Sequence, residues 1–74
     1  MNVEFKNWYL ENSNKNGGLI SKKTAGDILN KSLSGISSAI KRDNLHVIKY
    51  KNSKTEFLSF NEVMEYENKK YIRK

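Results

Sequence analysis

The sequence contains no cysteine, no proline and a single histidine among its 74 residues. Without cysteine the chain can form neither a disulfide framework nor a thiolate zinc site. His46 cannot supply the ligands of a metal centre alone, and no second histidine, cysteine or acid lies at motif spacing from it. We therefore expect a protein that is not an enzyme and that uses no metal or cofactor.

Long apolar segments are also missing. No run approaches the roughly 20 residues that span a bilayer, and the N-terminus lacks the pattern of a signal peptide. These absences favour a cytoplasmic protein with no membrane partner. The length allows one domain at most, over residues 1–74, and a domain of this size buries only about 60% of the surface of its unfolded chain.

Basic residues predominate, and they are distributed unevenly along the chain. The net charge is +6, and the acids and bases of residues 1–20 cancel. Residues 21–54 hold eight bases and two acids, residues 55–68 hold only acids, and four of the last six residues are basic. A basic centre and tail are typical of a protein that binds a polyanion such as nucleic acid. A solvated surface from a lysine-rich proteome is the alternative.

The first predicted helix is aromatic. Phe5, Trp8 and Tyr9 recur at i, i+3 and i+4, which places three rings on one face of a helix over residues 3–11. The Asn- and Gly-rich residues 12–18 then predict a loop. We expect the rings to cover an open edge of a small core, and a dimer contact is the alternative.

Two capped helices with a tight turn between them are predicted next. Ser21 and Asn30 have side chains suited to an N-cap and a left-handed C-cap, which bound a helix at residues 21–30. Ser32 caps a second helix over residues 32–43. The apolar positions of that second helix share one side and are expected to face the core: Leu33, Ile36, Ala39 and Ile40. Two helices so joined are typical of a helix-turn-helix.

After Leu45 the apolar period changes from 3.6 to 2. Residues 46–51 and 55–60 are rich in β-branched and aromatic side chains, and the polar residues 52–54 separate them. This pattern predicts a β-hairpin over residues 46–60 with a basic tip.

A last helix is predicted over residues 60–70. Ser59 and Glu62 have the S-x-x-E spacing of a capping box at its start. Its apolar residues are expected to be buried: Phe60, Val63, Met64 and Tyr66. The sequence thus predicts a mainly α fold with a small β-hairpin, of the α+β class.

The outward face of the second capped helix suits contact with DNA. If its apolar residues face inward, about 100° of rotation per residue turns Ser34, Ser38, Lys41 and Arg42 outward, with Ser37 at the flank. Serine hydroxyls allow close approach to bases and can donate or accept, whereas lysine and arginine reach phosphates and favour guanine. The alternative is the ordinary polar face of a helical hairpin.

The predicted hairpin would extend this basic surface as a wing. Lys49, Lys51 and Lys54, with Asn52 at the turn, could follow the DNA backbone or enter a minor groove. The chain has 12 lysines and only two arginines. Because lysine acts on phosphate as a point charge, affinity should be mostly electrostatic.

Residues 17–70 resemble the excisionase and MerR-like winged helix-turn-helix proteins, which include small phage and mobile-element regulators. Three stretches carry the resemblance: Ala-Gly-Asp-Ile-Leu-Asn-Lys-Ser at 25–32, Ile-Ser-Ser-Ala-Ile-Lys-Arg-Asp-Asn-Leu at 36–45, and Phe-Leu-Ser-Phe-Asn-Glu-Val-Met-Glu-Tyr at 57–66. The family has roughly Ala-Ala-x-x-Leu-Gly-Val-Ser in the first stretch. The departures are Asn30 and Asn44 in place of glycine, Lys31 in place of an apolar residue, and Gly35 inside the second helix.

The resemblance implies a winged helix-turn-helix, with the 32–43 helix in the major groove of double-stranded DNA and the wing on the adjacent groove or backbone. We expect a sequence-preferring transcriptional regulator or recombination directionality factor. Self-association, or contact with a recombinase or polymerase, would accompany that role. A protein-interaction module that uses the aromatic N-terminus or acidic residues 56–67 is the main rival. RNA binding ranks third, because Tyr50, Phe57 and Phe60 are better explained as core than as a stacking platform.

Overall fold

The computed structural model describes the backbone of residues 3–72 and the side chains of residues 3–69. Within that part of the chain the helices are α1 (Val3–Asn16), α2 (Lys22–Leu29), α3 (Leu33–Lys41) and α4 (Phe60–Ile72). The strands are β1 (Leu19–Ile20), β2 (Val47–Ile48) and β3 (Phe57–Ser59). They form one antiparallel sheet in the order β1-β3-β2. The predicted α+β class, mainly helical with a small hairpin, is confirmed.

Helix α1 is longer than predicted, and the loop expected over residues 12–18 is wrong for most of its length. The side-chain amides of Asn12 and Asn16 each donate to the carbonyl four residues earlier, at 2.8 and 2.7 Å. These asparagines therefore bond within the helix instead of competing with it. Gly17 ends α1 with a φ of 68°, and the Gly18 N–H donates to the carbonyl five residues back at 2.8 Å. This is the hydrogen bond of a Schellman C-cap.

The predicted caps of α2 and α3 are confirmed. Ser21 Oγ accepts from the N–H three residues on at 3.1 Å, and Ser32 Oγ does the same at 3.2 Å. Asn30 ends α2 in the left-handed conformation, with a φ of 57°. Helix α3 ends at Lys41, two residues before the predicted boundary, because Asp43 takes a φ of 66° and turns the chain out of the helix.

The hairpin is present, but its strands are shorter than predicted and its turn lies earlier. The Ser53 N–H donates to the Tyr50 carbonyl at 2.8 Å, so Lys51 and Asn52 are the central turn residues. The Tyr50 ring packs on α1, which draws the chain out of the sheet soon after Ile48.

Strand β1 was not predicted. Leu19 pairs with Ser59 and Ile20 with Leu58, so β3 is the central strand of the sheet. A two-residue strand is too short to show a period of 2, so the sequence pattern could not have predicted it.

The core lies between α2, α3, α4 and the sheet. Its buried residues are Ala25, Leu29, Ile36, Ala39, Leu45, Leu58 and Val63. The prediction that Leu33 faces this core is wrong, because 59% of its surface is exposed. Leu33 is the first residue of α3 and precedes by one turn Ile36, the first residue of that helix to reach the buried cluster.

Helix α4 begins as predicted, with one change in its capping. Ser59 Oγ accepts from the Glu62 N–H at 3.1 Å, which is half of a capping box. The Glu62 carboxylate accepts from the His46 N–H at 2.9 Å instead of returning to its own helix. The helix continues two residues beyond the predicted end. Val63 is fully buried, while Phe60, Met64 and Tyr66 are half-buried.

Candidate nucleic-acid interface

Helix α3 is held against α2 by a close backbone approach at Gly26. A Cβ at this position would lie 2.7 Å from the Lys31 carbonyl oxygen, and the Lys31 N–H donates to the Gly26 carbonyl at 2.8 Å. The turn between the helices therefore rests directly on the α2 backbone. Ile36 and Ala39 are the buried residues of α3, so the opposite side of this helix faces solvent.

That face carries the residues predicted for it. All five are exposed: Ser34, Ser37, Ser38, Lys41 and Arg42. Helix α3 contains no acidic residue, and the four ion pairs found within residues 3–69 involve neither Lys41 nor Arg42. The nearest acid along the chain is Asp43, whose carboxylate lies 2.9 Å from His46 Nε2. The α3 face is therefore polar and positively charged.

Lys31 is a further cation at this face that sequence reasoning treated only as a departure from a family pattern. It is exposed, and none of the ion pairs within residues 3–69 includes it. Its aliphatic stem runs beside Gly35, where an added Cβ would lie 3.4 Å from the Lys31 Cβ. The sequence could have indicated this location, because Lys31 immediately precedes the Ser32 cap and the residue before an N-cap lies beside the first turn of its helix.

The predicted wing residues are also exposed, and they lie together in the loop between β2 and β3: Lys49, Lys51, Asn52 and Lys54. Lys51 is partly neutralised, because its Nζ donates to Glu4 Oε1 at 2.9 Å. The Tyr50 hydroxyl donates to the same oxygen at 3.1 Å. The hydrogen bond that Lys51 donates to Glu4 lowers the pKa of Glu4 and raises the pKa of Lys51. Sequence reasoning missed Glu4, whose partner is 47 residues away.

The three rings of α1 pack against the wing and form an aromatic cluster with Tyr50 and Phe57. Ring centroids lie 5.2 Å apart for Phe5 and Tyr50, 5.3 Å for Trp8 and Tyr50, and 5.8 Å for Tyr9 and Phe57. All five rings are half-buried. The rings of α1 thus pack against Phe57 of β3, and through Tyr50 they support the loop that carries the wing lysines.

A second ion pair ties the base of the wing to α2. Lys22 Nζ lies 2.5 Å from Glu56 Oε1, and this hydrogen bond lowers the pKa of Glu56. No hydrogen bond or ion pair within residues 3–69 joins the wing lysines directly to the polar face of α3. The ion pairs and ring contacts that hold the wing come instead from α1 and α2.

His46 is exposed and links the end of α3 to α4. Its Nδ1 lies 2.6 Å from Glu62 Oε2, and its Nε2 lies 2.9 Å from Asp43 Oδ1. Since both ring nitrogens face carboxylate oxygens, the arrangement favours the doubly protonated imidazolium, and the hydrogen bond to Glu62 raises the pKa of His46. Within residues 3–69 no group of three or more histidine and acidic side chains is arranged to hold a metal ion.

Neither a family model, nor a curated protein, nor a solved structure matches the chain. Within the described residues no helix has the length and apolar content needed to cross a membrane. The geometry of the α3 face and the wing is therefore the basis for assigning a function. Of the basic C-terminal residues, Lys69 is exposed, whereas the side chains of Lys70, Arg73 and Lys74 lie outside the described residues.

Proposed function

We propose that the protein is a sequence-preferring double-stranded DNA-binding module of the winged helix-turn-helix type. Helices α2 and α3 form the helix-turn-helix, α3 enters the major groove, and the loop between β2 and β3 is the wing. The observation that carries the proposal is the face of α3, which combines exposed hydroxyls and cations with no acidic residue.

The dimensions and chemistry of α3 support this role. Its nine residues span roughly 14 Å at 1.5 Å per residue, and a major groove about 12 Å wide admits such a helix. Base contacts usually come from the N-terminal part of a recognition helix. Ser34 lies in that part and Ser37 and Ser38 follow in the middle of the helix, while Lys41 and Arg42 at the other end would bind phosphates.

The order of the elements also supports the proposal, because a hairpin with exposed lysines follows the two capped helices. Lys49 and Lys54 would contact the DNA backbone or an adjacent groove. The resemblance to excisionase and MerR-like proteins is the basis for a finer role, as a transcriptional regulator or a recombination directionality factor.

Selection from random double-stranded DNA at two salt concentrations tests the proposed function. We expect a short motif to be enriched, and affinity to fall with salt with a log–log slope near −4 to −5 for about five phosphate contacts. Enrichment of a symmetric motif would indicate that two copies bind together. Binding without enrichment would contradict sequence preference. No binding at low salt would overturn the proposal and favour the protein-interaction module.

A pair of matched double variants tests the residues. Lys41→Ala with Arg42→Ala should lower affinity for the selected site and reduce the magnitude of the salt slope by about 1.8, the value for two phosphate contacts. The control is Lys6→Ala with Lys15→Ala, which removes the same charge from exposed positions of α1. If both double variants lose affinity equally, net charge rather than the α3 face determines binding.

A further inference from the structure

Leu33 is an exposed apolar residue at the start of the proposed recognition helix. It is 59% exposed, and the other exposed large apolar residues within residues 3–69 are Val3 (69%) and Leu10 (51%), both on α1. A single exposed leucine is ordinary on a protein surface. Leu33 differs because it lies beside the residues that would meet the bases.

Helix geometry places Leu33 next to the serine face. Ser37 is four residues on and therefore lies one turn above Leu33 on the same side of α3, and Ser34 is its neighbour along the chain. Lys41 and Arg42 lie at the opposite end, roughly 12 Å away for eight residues of helix. The apolar side chain is thus at the end of the helix where base contacts are usually made.

The serines around Leu33 leave base discrimination incomplete. A hydroxyl can donate or accept, so it pairs with the edges of several bases. The C5-methyl of thymine is the one apolar group in the major groove, and an apolar side chain recognises it by contact. Leu33 supplies the apolar contact surface that the neighbouring serine hydroxyls cannot provide.

We propose that Leu33 packs against the C5-methyl group of a thymine in the major groove and so determines specificity for an A·T pair. This inference rests on the proposed function. The methyl contact buries part of a side chain that the folded protein leaves in water.

Uracil substitution tests the contact, because deoxyuridine differs from thymidine only by the missing methyl. Each thymine of the selected site would be replaced singly, and affinity measured by fluorescence anisotropy. We expect one replacement to weaken binding about fourfold, which corresponds to about 0.8 kcal/mol for one buried methyl-sized group. Leu33→Ala should bind the thymine and uracil forms of that site equally. The matched control is Leu10→Ala, which removes the same atoms from a residue that is 51% exposed on α1 and should keep the difference.

The outcomes separate this inference from the proposed function. Sequence-preferring binding in which no uracil replacement matters, or in which Leu33→Ala keeps the fourfold difference, would overturn the thymine contact alone. A selected site without a required thymine would also overturn it alone. Absence of sequence-preferring DNA binding by the unmodified protein would overturn both. Thermal unfolding of Leu33→Ala, expected to match the unmodified protein, checks that the fold is retained.

Discussion

Gly26 is the residue on which the packing of the two capped helices depends. Any larger side chain would place its Cβ 2.7 Å from a backbone oxygen, the carbonyl of Lys31, which cannot move without shifting the turn. Gly35 offers a contrast, since its nearest neighbour would be the flexible Lys31 side chain at 3.4 Å. Both glycines lie within helices, so their different surroundings can be compared directly.

We expect Gly26→Ala to lower the free energy of unfolding by about 1–3 kcal/mol, the usual effect of excess volume in a packed site. Gly35→Ala is the control and should raise it by up to about 1 kcal/mol, because alanine favours the helix. Urea unfolding followed by circular dichroism measures both. A Gly26→Ala variant as stable as the unmodified protein would show that the turn tolerates displacement.

His46 makes stability depend on pH. The hydrogen bond to Glu62 and the nearby Asp43 carboxylate raise its pKa above the ordinary 6.5. The folded state therefore holds this proton more tightly than the unfolded chain does, and the stabilisation is complete below the unfolded pKa. It is lost as the pH rises above 6.5 and passes through the raised pKa of the folded state.

Urea unfolding at a series of pH values from about 5.5 to 8.5, which brackets an ordinary histidine pKa, tests this expectation. The unfolding midpoint should fall as pH rises. His46→Gln keeps a polar side chain without the titration, so its midpoint should change less across the same range. Parallel profiles for the two proteins would contradict the assignment. The chain has no other histidine, which simplifies the comparison.

Among the elements, α1 both supports the wing and opposes its charge. Its rings pack against Tyr50, and Glu4 pairs with Lys51. In a DNA complex the Glu4 carboxylate would compete with a phosphate for the same ammonium group. A surface ion pair of this kind contributes little to folding stability, so it can be removed without unfolding the protein.

If the proposed function is correct, Glu4→Gln should bind the selected DNA several-fold more tightly and increase the magnitude of the salt slope by about 0.9, one phosphate contact. Glu11→Gln is the control, because it makes the same charge change at another exposed residue of α1. Equal gains from the two variants would mean that Glu4 acts only through net charge. Unchanged affinity in Glu4→Gln would mean that Lys51 does not meet the DNA.

Elements with local signals could be predicted from the sequence, and those that depend on distant partners could not. Ser21, Asn30 and Ser32 bound their helices through contacts within a few residues, so their roles follow from residue type and spacing. Strand β1 exists because Ser59 and Leu58 pair with it from some 40 residues away. In the extended part of α1, Asn12 and Asn16 donate to carbonyls four residues back, and these bonds form only once the chain is helical, so residue type alone does not predict them.

For the molecule as a whole, the charge segments seen in the sequence become partly paired in three dimensions. Three acids of the flanking segments contact bases of the central one, in the pairs Glu4 with Lys51, Glu56 with Lys22, and Glu62 with His46. The sequence predicted which segments are basic, but it could not predict this pairing.

The cations with no ion pair within residues 3–69 include Lys31, Lys41, Arg42, Lys49 and Lys54. Lys23 on α2 is the sixth cation of residues 21–54 with no such ion pair, so five of the six lie on the two surfaces proposed to meet DNA. Helical periodicity predicts the exposed face of α3. It also predicts a buried Leu33, which is wrong, because periodicity gives the side of a helix and not how far along the helix the packing extends.

The packing of α1 on the hairpin also has an optical consequence. Trp8 is the only indole in the chain, and its ring centroid lies 5.3 Å from that of Tyr50 beside the wing turn. At this separation light absorbed by the phenol is passed efficiently to the indole, whose emission also responds to the polarity around it. The protein thus contains a natural fluorophore beside the wing turn of its proposed binding surface. Displacement of the wing would change the wavelength and intensity of Trp8 emission, so no attached dye is needed to follow it.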